Sequence, residues 1–186
     1  MPVLGIIGGG QLGSMMCEAA KKLSVETIIL SDDKNAPAQN FCDQFIFSPY
    51  ENLEKVEKFS KLVDIVTFEF ENIPNKILDH ISKFKPVLPK PTINQIIQNR
   101  FTEKNFIRTV GEVIKELDIK TVNYALIKNK LDILKNKDLL PGLLKTCTLG
   151  YDGKGQLIIN NEADAANLEI SFDKEYILEK KIILKK

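Results

Sequence analysis

The sequence has no tryptophan, one histidine and three cysteines among its 186 residues. The histidine, His80, has no cysteine or second histidine at a metal-ligand spacing, which argues against a zinc site. Cys17, Cys42 and Cys147 are far apart and odd in number, and none forms a C-x-x-C motif. This pattern is expected of free thiols in a reducing compartment. We therefore expect a cytoplasmic protein without disulfide bonds.

Neither sign of charge is in excess. The 26 basic and 25 acidic side chains leave a net charge of +1, so the chain as a whole does not attract nucleic acid or an anionic membrane. No apolar run reaches the ~20 residues that span a bilayer, and the start, MPVLGIIGGGQLG, lacks the features of a signal peptide. The 44% of hydrophobic residues allow a sizeable core. Because the charges balance overall, any site for a charged ligand has to be sought in local motifs.

Strands and helices alternate through the first half of the chain. Short apolar runs predict strands, and segments of helical periodicity lie between them. Alternation of this kind indicates a parallel sheet covered on both faces, as in Rossmann-like α/β domains. The predicted strands are 3–7, 27–30, 44–47, 65–68 and a short one at Val87 and Leu88, and the predicted helices are 11–23, 53–62 and 75–83.

The second half follows a different pattern. Pro86, Pro89 and Pro91 interrupt regular pairing and mark a connector, so we place the domains at 1–98 and 99–186. After the connector the sequence predicts a helix over 93–110, a strand over 119–127, a helix over 131–135, a hairpin of strands 142–145 and 156–159, and a strand over 176–178 that ends at Glu179. A hairpin implies antiparallel pairing, hence a separate, partly antiparallel α+β lobe.

The first glycine motif follows a strand and opens a helix. Gly8 to Gly13 fit G-x-G-x-x-G, a turn whose N–H groups and helix dipole suit a phosphate. Asp32 and Asp33 lie about 20 residues on, where a dinucleotide-binding protein places the acid that binds ribose. Three interpretations stay open: NAD binding, glycines needed only by the turn, and a phosphorylated substrate contacting the backbone of Gln11 and Leu12.

The second glycine motif lies between two strands. Gly150, Gly153 and Gly155 fall within the string GYDGKGQ, and the apolar run LII follows it. A Walker A loop would instead continue into Ser or Thr and a helix. Backbone N–H groups of such a flap can surround the β- and γ-phosphates of a nucleotide, and Lys145 and Lys154 can supply positive charge. The alternative is a hairpin turn with a surface lysine.

Four strings in the same order carry a family resemblance: GGGQLG from Gly8, TFEFENIP from Thr67, NRFTEK from Asn99 and GYDGKGQ from Gly150. Together they resemble the N5-carboxyaminoimidazole ribonucleotide synthases of the ATP-grasp superfamily. The resemblance implies a Rossmann-like pre-ATP-grasp domain followed by the first lobe of an ATP-grasp domain. It further implies ATP-dependent carboxylation of 5-aminoimidazole ribonucleotide with bicarbonate in purine biosynthesis, ATP with Mg²⁺ as cofactor, and a homodimer.

Site residues follow from the resemblance where the positions match. It implies that Arg100 and Lys145 contact ATP phosphates, that the flap runs from Gly150 to Gln156, and that Glu179 meets the adenine amino group. It places the ribonucleotide at Gln11, Leu12 and Glu69. The complete set implied for ATP is Arg100, Lys145, Gly150, Tyr151, Asp152, Gly153, Lys154, Gly155, Gln156, Glu179, Lys180, Lys181 and Ile182.

The match departs from the family in three places. Ser14 stands where the family usually has arginine, the segment 111–118 does not resemble the family's short turn, and the resemblance covers only the first half of the family's length. The metal ligands are accordingly expected in the other half, with none among these residues and no catalytic residue assigned. Two other functions stay open: a formate-using glycinamide ribonucleotide transformylase, and a nucleotide-binding module without catalysis.

Overall fold

The computed structural model describes residues 1–150 and 154–183. The chain divides into two compact units, Met1–Gln95 and Ile96–Lys186, which are called here the N-terminal and C-terminal units. In the described part of the chain, no helix is long and apolar enough to cross a membrane. The functional boundaries 1–98 and 99–186 stay a prediction.

The N-terminal unit is built around a parallel sheet. Its elements are β1 (Val3–Ile7), α1 (Gln11–Lys22), β2 (Glu26–Ser31), β3 (Gln44–Phe47), α2 (Leu53–Leu62), β4 (Ile65–Phe68) and α3 (Asn75–Ile81). The strand order is β3-β2-β1-β4, and all neighbouring strands pair in parallel. The predicted Rossmann-like topology is confirmed. The expected strand at Val87 and Leu88 is wrong, since this segment contributes one isolated bridge, between Val87 and Val66.

Both faces of the parallel sheet are covered. On one face Ile7 and Leu30 pack with Phe59 of α2 and residues of α3. On the other face Ile6 and Ile29 pack with Cys17 of α1. Central strands that are buried on both sides read as continuous apolar runs, which explains why β1 and β2 were recognisable in the sequence. Because the four strands run parallel, their carboxyl ends lie along one edge of this sheet.

The C-terminal unit contains an antiparallel sheet. Its strands are β5 (Tyr124–Ile127), β6 (Gly142–Thr146), β7 (Gln156–Ile159) and β8 (Tyr176–Lys180), in the order β5-β8-β6-β7. Register pairs Lys145 with Gln156 in the predicted hairpin and Leu143 with Glu179 in the β6-β8 pair. The helices are α5 (Arg100–Val113), α6 (Lys130–Lys135) and α7 (Glu162–Ala166), preceded by α4 (Pro91–Ile97) at the junction of the units.

One face of the antiparallel sheet carries the core of this unit. Ile127, Leu144 and Leu178 pack there with Ile133 of α6 and Ala165 of α7. Because side chains alternate across a strand, Lys145 and Glu179 point to the opposite face. Helix α5 contacts that opposite face, as the edge-to-face packing of Phe101 on Tyr124 shows.

Three predicted elements of the C-terminal unit differ from the structure. The helix expected over 93–110 is two helices, because Asn99 is extended and its side chain accepts the N–H groups of Phe101 and Thr102, which starts α5 afresh. The strand expected over 119–127 begins only at Tyr124, where pairing with β8 begins. The strand expected to end at Glu179 continues to Lys180, so Glu179 lies inside β8.

Candidate functional site

Arg100 connects α5 to the glycine-rich segment after β6. Its backbone N–H donates to the carbonyl of Cys147 at 2.9 Å, and its guanidinium Nη1 donates to the carbonyl of Thr146 at 2.9 Å. The guanidinium also donates through Nη2 to the carbonyl of Gly150. Arg100 was predicted to contact phosphate; in the structure its guanidinium holds the start of the predicted flap.

Gly150 and Gly155 lie close to Thr146. A Cβ on Gly150 would be 2.9 Å from both Arg100 Nη1 and the Thr146 hydroxyl, and a Cβ on Gly155 would be 2.9 Å from that hydroxyl. Gly155 also has a φ of +72°, a conformation that side chains disfavour. The close approach to Thr146 therefore requires glycine at both positions.

The remaining flap residues are placed differently. Tyr151, Asp152 and Gly153 lie outside the described residues. Lys154 and Gln156 are exposed, and Gln156 begins β7 directly opposite Lys145.

Lys145 and Glu179 form an ion pair on the face of the sheet opposite its core. Lys145 Nζ lies 3.0 Å from Glu179 Oε2, and the Glu179 side chain is only 9% exposed. A second cation, Lys104 of α5, lies 3.5 Å from the same oxygen. Lys104 was not among the residues predicted from the sequence. Its place in the string NRFTEK, one helical turn after Arg100, was the available signal.

The residues after Glu179 are anchored to a neighbouring segment. Lys180 Nζ donates to the carbonyls of Asp138 and Leu140, both at 2.7 Å, and the Lys181 N–H donates to the carbonyl of Pro141 at 3.0 Å. Ile182 is 60% exposed. The ammonium of Lys180 is thus used within the protein, on the side of β8 opposite Glu179.

In the N-terminal unit, Glu69 occupies the start of α1. It follows β4, and its carboxylate accepts the N–H of Gly10 at 2.8 Å and the N–H of Gly13 at 3.2 Å. A carboxylate is favourable there because the first N–H groups of a helix have no intrahelical partner and the helix dipole is positive at that end. The pyrophosphate of a dinucleotide would need the same N–H groups. The geometry thus does not favour the NAD interpretation.

Two of the three predicted substrate residues share a depression at the carboxyl edge of the parallel sheet. Leu12 and Glu69 line one depression of about 350 Å³. Glu69 also lines a cavity of about 190 Å³ with the Gly8–Gly10 turn, Asp32 and Tyr50. Gln11 is exposed in the first turn of α1, beside Leu12. The structure therefore brings Leu12 and Glu69 together, and Gln11 is only the chain neighbour of Leu12.

Tyr50 was not recognised from the sequence. Its side chain is buried, and burial raises the pKa of the phenol, with the nearby Asp32 carboxylate adding to the effect. A lone tyrosine before a helix carries no sequence signal for such a position, so only the fold identifies it as part of the cavity.

The structure shows the surroundings of three other residues that were singled out from the sequence. The Ser14 hydroxyl donates to the carbonyl of Gly10 at 3.2 Å within α1. His80 Nε2 lies 3.1 Å from Glu57 Oε1, and its ring packs edge-to-face on Phe84. Burial raises the pKa of the Cys147 thiol to about 11, and the Glu175 carboxylate adds to the effect.

Comparison with known proteins identifies both halves of the chain. Residues 1–98 match the family model described as the ribonucleotide synthetase preATP-grasp domain, and residues 112–186 match the ATP-grasp domain. The fold and the two matches thus define a chain of the ATP-grasp class, with a preATP-grasp domain followed by ATP-grasp sequence.

Individual relatives show which ATP-grasp proteins the chain resembles in sequence and structure. The N5-carboxyaminoimidazole ribonucleotide synthase of Bacillus subtilis is 40% identical over 163 residues, which is 87% of this chain and 41% of the relative. The crystal structure of N5-carboxyaminoimidazole synthetase from Staphylococcus aureus with ADP is 32% identical, with a TM-score of 0.86 over 99% of this chain and 48% of that one. The Aspergillus clavatus enzyme with ADP and 5-aminoimidazole ribonucleotide is 25% identical, with a TM-score of 0.79 over 97% of this chain and 46% of that one.

The chain belongs to the ribonucleotide synthetase preATP-grasp family, and its relatives are N5-carboxyaminoimidazole ribonucleotide synthases. The family expected from the four sequence strings is confirmed. The chain spans about half the length of the curated relatives it matches, between 41% and 48% for the first three.

Proposed function

We propose that this chain supplies the substrate-side domain and the first ATP-binding lobe of an enzyme that carboxylates 5-aminoimidazole ribonucleotide. The reaction uses ATP and bicarbonate, yields N5-carboxyaminoimidazole ribonucleotide, and belongs to de novo purine biosynthesis. The observation that carries the proposal is the Lys145–Glu179 pair, 3.0 Å apart, with Lys145 paired in register with Gln156, the last residue of the predicted flap. The relatives solved with ADP, and with ADP and 5-aminoimidazole ribonucleotide, support it.

On the ATP side, Lys145 provides a positive charge to the triphosphate. Its ammonium lies on the face of β6 and β8 that does not carry the core of the unit, one residue before the end of β6. The flap from Gly150 to Gln156 adds backbone N–H donors, and Arg100 orients it through the Gly150 carbonyl. The backbone from Glu179 to Ile182 is assigned to the adenine edge.

On the substrate side, Glu69 selects a hydrogen-bond donor. Its carboxylate already supplies the negative charge at the start of α1, so a second anion directly beside it would be repelled. A hydroxyl or amine of the ribonucleotide can donate to it instead. The N–H groups of Gln11 and Leu12, which have no intrahelical partner in the first turn, are assigned to the same ligand.

The proposed chemistry needs charge stabilisation and no enzyme nucleophile. A bicarbonate oxygen attacks the γ-phosphorus of ATP, the bond to the β-phosphate oxygen breaks, and ADP leaves with carboxyphosphate as the product. The substrate amine then attacks the carboxyl carbon, or CO₂ released from it, as inorganic phosphate departs and the amine loses a proton. Lys145 offsets negative charge in the first step, which is the usual contribution of protein to phosphoryl transfer.

Magnesium is part of the proposal through the resemblance only. Among residues 1–150 and 154–183, no group of three or more His, Cys, Asp or Glu side chains fits a metal ion. The magnesium ligands are proposed to lie in the half of the relatives' length that this chain does not cover. A homodimer and a cytoplasmic location are likewise proposed from the resemblance.

Calorimetric titration of ATP into the chain tests the nucleotide site. Lys145→Met should weaken ATP binding about tenfold, because a partly buried charge that faces the phosphates is lost. The matched control is Lys137→Met, which removes an exposed lysine that is also 3.0 Å from a glutamate, Glu162. Equal affinities in the two variants would refute the site.

A second assay tests the substrate. The chain is joined to the half of the Staphylococcus aureus relative that it does not cover, and ADP release is measured with 5-aminoimidazole ribonucleotide and bicarbonate, or with glycinamide ribonucleotide and formate. Release with the first pair supports the proposal, and release with the second indicates the transformylase. ATP binding without ADP release in either mixture would favour a binding module.

A further inference from the structure

Three side chains from three elements meet at one carboxylate oxygen in the C-terminal unit. Lys145 Nζ of β6 lies 3.0 Å from Glu179 Oε2 of β8, and Lys104 Nζ of α5 lies 3.5 Å from the same atom. The side chains are largely buried, with exposed fractions of 19% for Lys145, 21% for Lys104 and 9% for Glu179. This group is called here the Glu179 cluster.

The Glu179 cluster has more positive charge than Glu179 requires. A buried carboxylate is costly unless a cation pairs with it, and one lysine would satisfy that need. Two lysines give the cluster a net positive charge beside the predicted flap. A surplus cation at partial burial is unfavourable unless an anion joins it, which suits a site that receives phosphate.

The two lysines have different anchoring. Lys104 Nζ also donates to the hydroxyl of Thr121 at 3.0 Å, so its ammonium is fixed between Glu179 and the segment that precedes β5. For Lys145 the described contact of the ammonium is Glu179. Lys145 also lies one residue before the end of β6, next to the flap. Of the two, Lys145 is therefore the one able to exchange its partner.

We infer that Lys104 is a positioning residue: it keeps the Glu179 carboxylate paired, and thereby releases the ammonium of Lys145 to the triphosphate. Without Lys104, Lys145 would have to leave a buried carboxylate unpaired in order to bind phosphate. This inference rests on the proposed ATP site, and it assigns a task to a residue that has no direct contact with the nucleotide in that site.

The test is a double-mutant cycle read by calorimetric titration of ATP into the chain. Lys104→Met should weaken ATP binding about fivefold to tenfold, the size expected for coupled charges in contact. In the Glu179→Gln background the same substitution should change the affinity less than about twofold, because a neutral side chain no longer retains Lys145. Lys104→Arg should keep most of the affinity, since a guanidinium also pairs with Glu179. The control is Lys137→Met, which removes the lysine of an exposed pair 3.0 Å long.

Other outcomes would overturn the inference. An equal loss from Lys104→Met in both backgrounds would mean that Lys104 acts on the ligand by its own charge, and an unchanged affinity in Lys104→Met would remove its role. Thermal unfolding of each variant separates a loss of fold from a loss of binding, because a purely structural role would lower the midpoint without rescue by Glu179→Gln. Absence of ATP binding by the unsubstituted chain, both alone and joined to the uncovered half of the Staphylococcus aureus relative, would refute the proposed site itself. Weakened binding in Lys145→Met alone would refute only the part assigned to Lys104.

Discussion

Arg100, the first residue of α5, donates a hydrogen bond from its guanidinium to the carbonyl of Gly150, which lies 50 positions later in the sequence. A second guanidinium nitrogen donates to the carbonyl of Thr146 at 2.9 Å. One planar side chain thus holds two points of the segment that leads into the predicted flap. Arg100→Lys keeps the charge but cannot make both contacts in the same geometry.

We expect Arg100→Lys to loosen the flap. Trypsin cleavage after Lys154 should become about tenfold faster, as expected when local opening becomes easier by about 1.4 kcal/mol. The matched control is Arg108→Lys, on the same helix, where the guanidinium lies over the Tyr124 ring. If both variants were cleaved at the wild-type rate, Arg100 would not hold the flap.

Leu149 has a left-handed backbone conformation immediately before Gly150. Its φ is +57°, and its side chain is 73% exposed, so little packing compensates for the strain. Leu149→Gly should raise the free energy of unfolding by about 0.5–1 kcal/mol, the strain relieved minus the added freedom of the unfolded chain. Urea unfolding measures the change. Leu149→Ala should give no such gain, and an equal gain in both variants would place the effect in the side chain.

Gly10 is short of space because of Glu69. A Cβ on Gly10 would lie 2.8 Å from Glu69 Oε1, although its φ of −73° suits any residue. Gly10→Ala should lower the free energy of unfolding by about 1–3 kcal/mol. In a Glu69→Ala background the same change should cost less than about 1 kcal/mol, as urea unfolding of the four variants would measure.

The control for Gly10 is its neighbour. A Cβ on Gly9 would meet the Cβ of Ala36 at 2.6 Å, so the cost of Gly9→Ala should not depend on Glu69. Equal costs of Gly10→Ala in both backgrounds would show that the Glu69 carboxylate does not occupy this position.

Cys147 gives the stability a pH dependence above neutrality. Burial raises the pKa of its thiol from 9.0 to about 11 in the folded protein. Below pH 9 the thiol is protonated in both states; between the two pKa values only the unfolded chain releases the proton, so stability falls as pH rises. Relative to Cys147→Ala, the wild type should lose about 1–2 kcal/mol between about pH 8 and about pH 10.5. Urea unfolding at both pH values checks this, and a constant difference would contradict it.

The N-terminal unit was predictable because its signals are local. The apolar strands β1 and β2 are buried on both faces, and Gly8 to Gly13 mark the turn between strand and helix. The helix break at Asn99 was missed because helical periodicity continues through it, and only the hydrogen bonds of its side chain show the new start. The strand limits at Tyr124 and Lys180 were missed because pairing with other strands sets them.

The sequence by itself determined the order of the motifs, the two kinds of sheet and the family, because those depend on residue spacing along the chain. Tertiary structure alone decided that Glu69 occupies the start of α1, that Arg100 holds Gly150, and that Lys104 joins Lys145 at Glu179. Each of these contacts joins residues that are distant in sequence. Their geometry depends on strand register and helix packing, which no local pattern encodes.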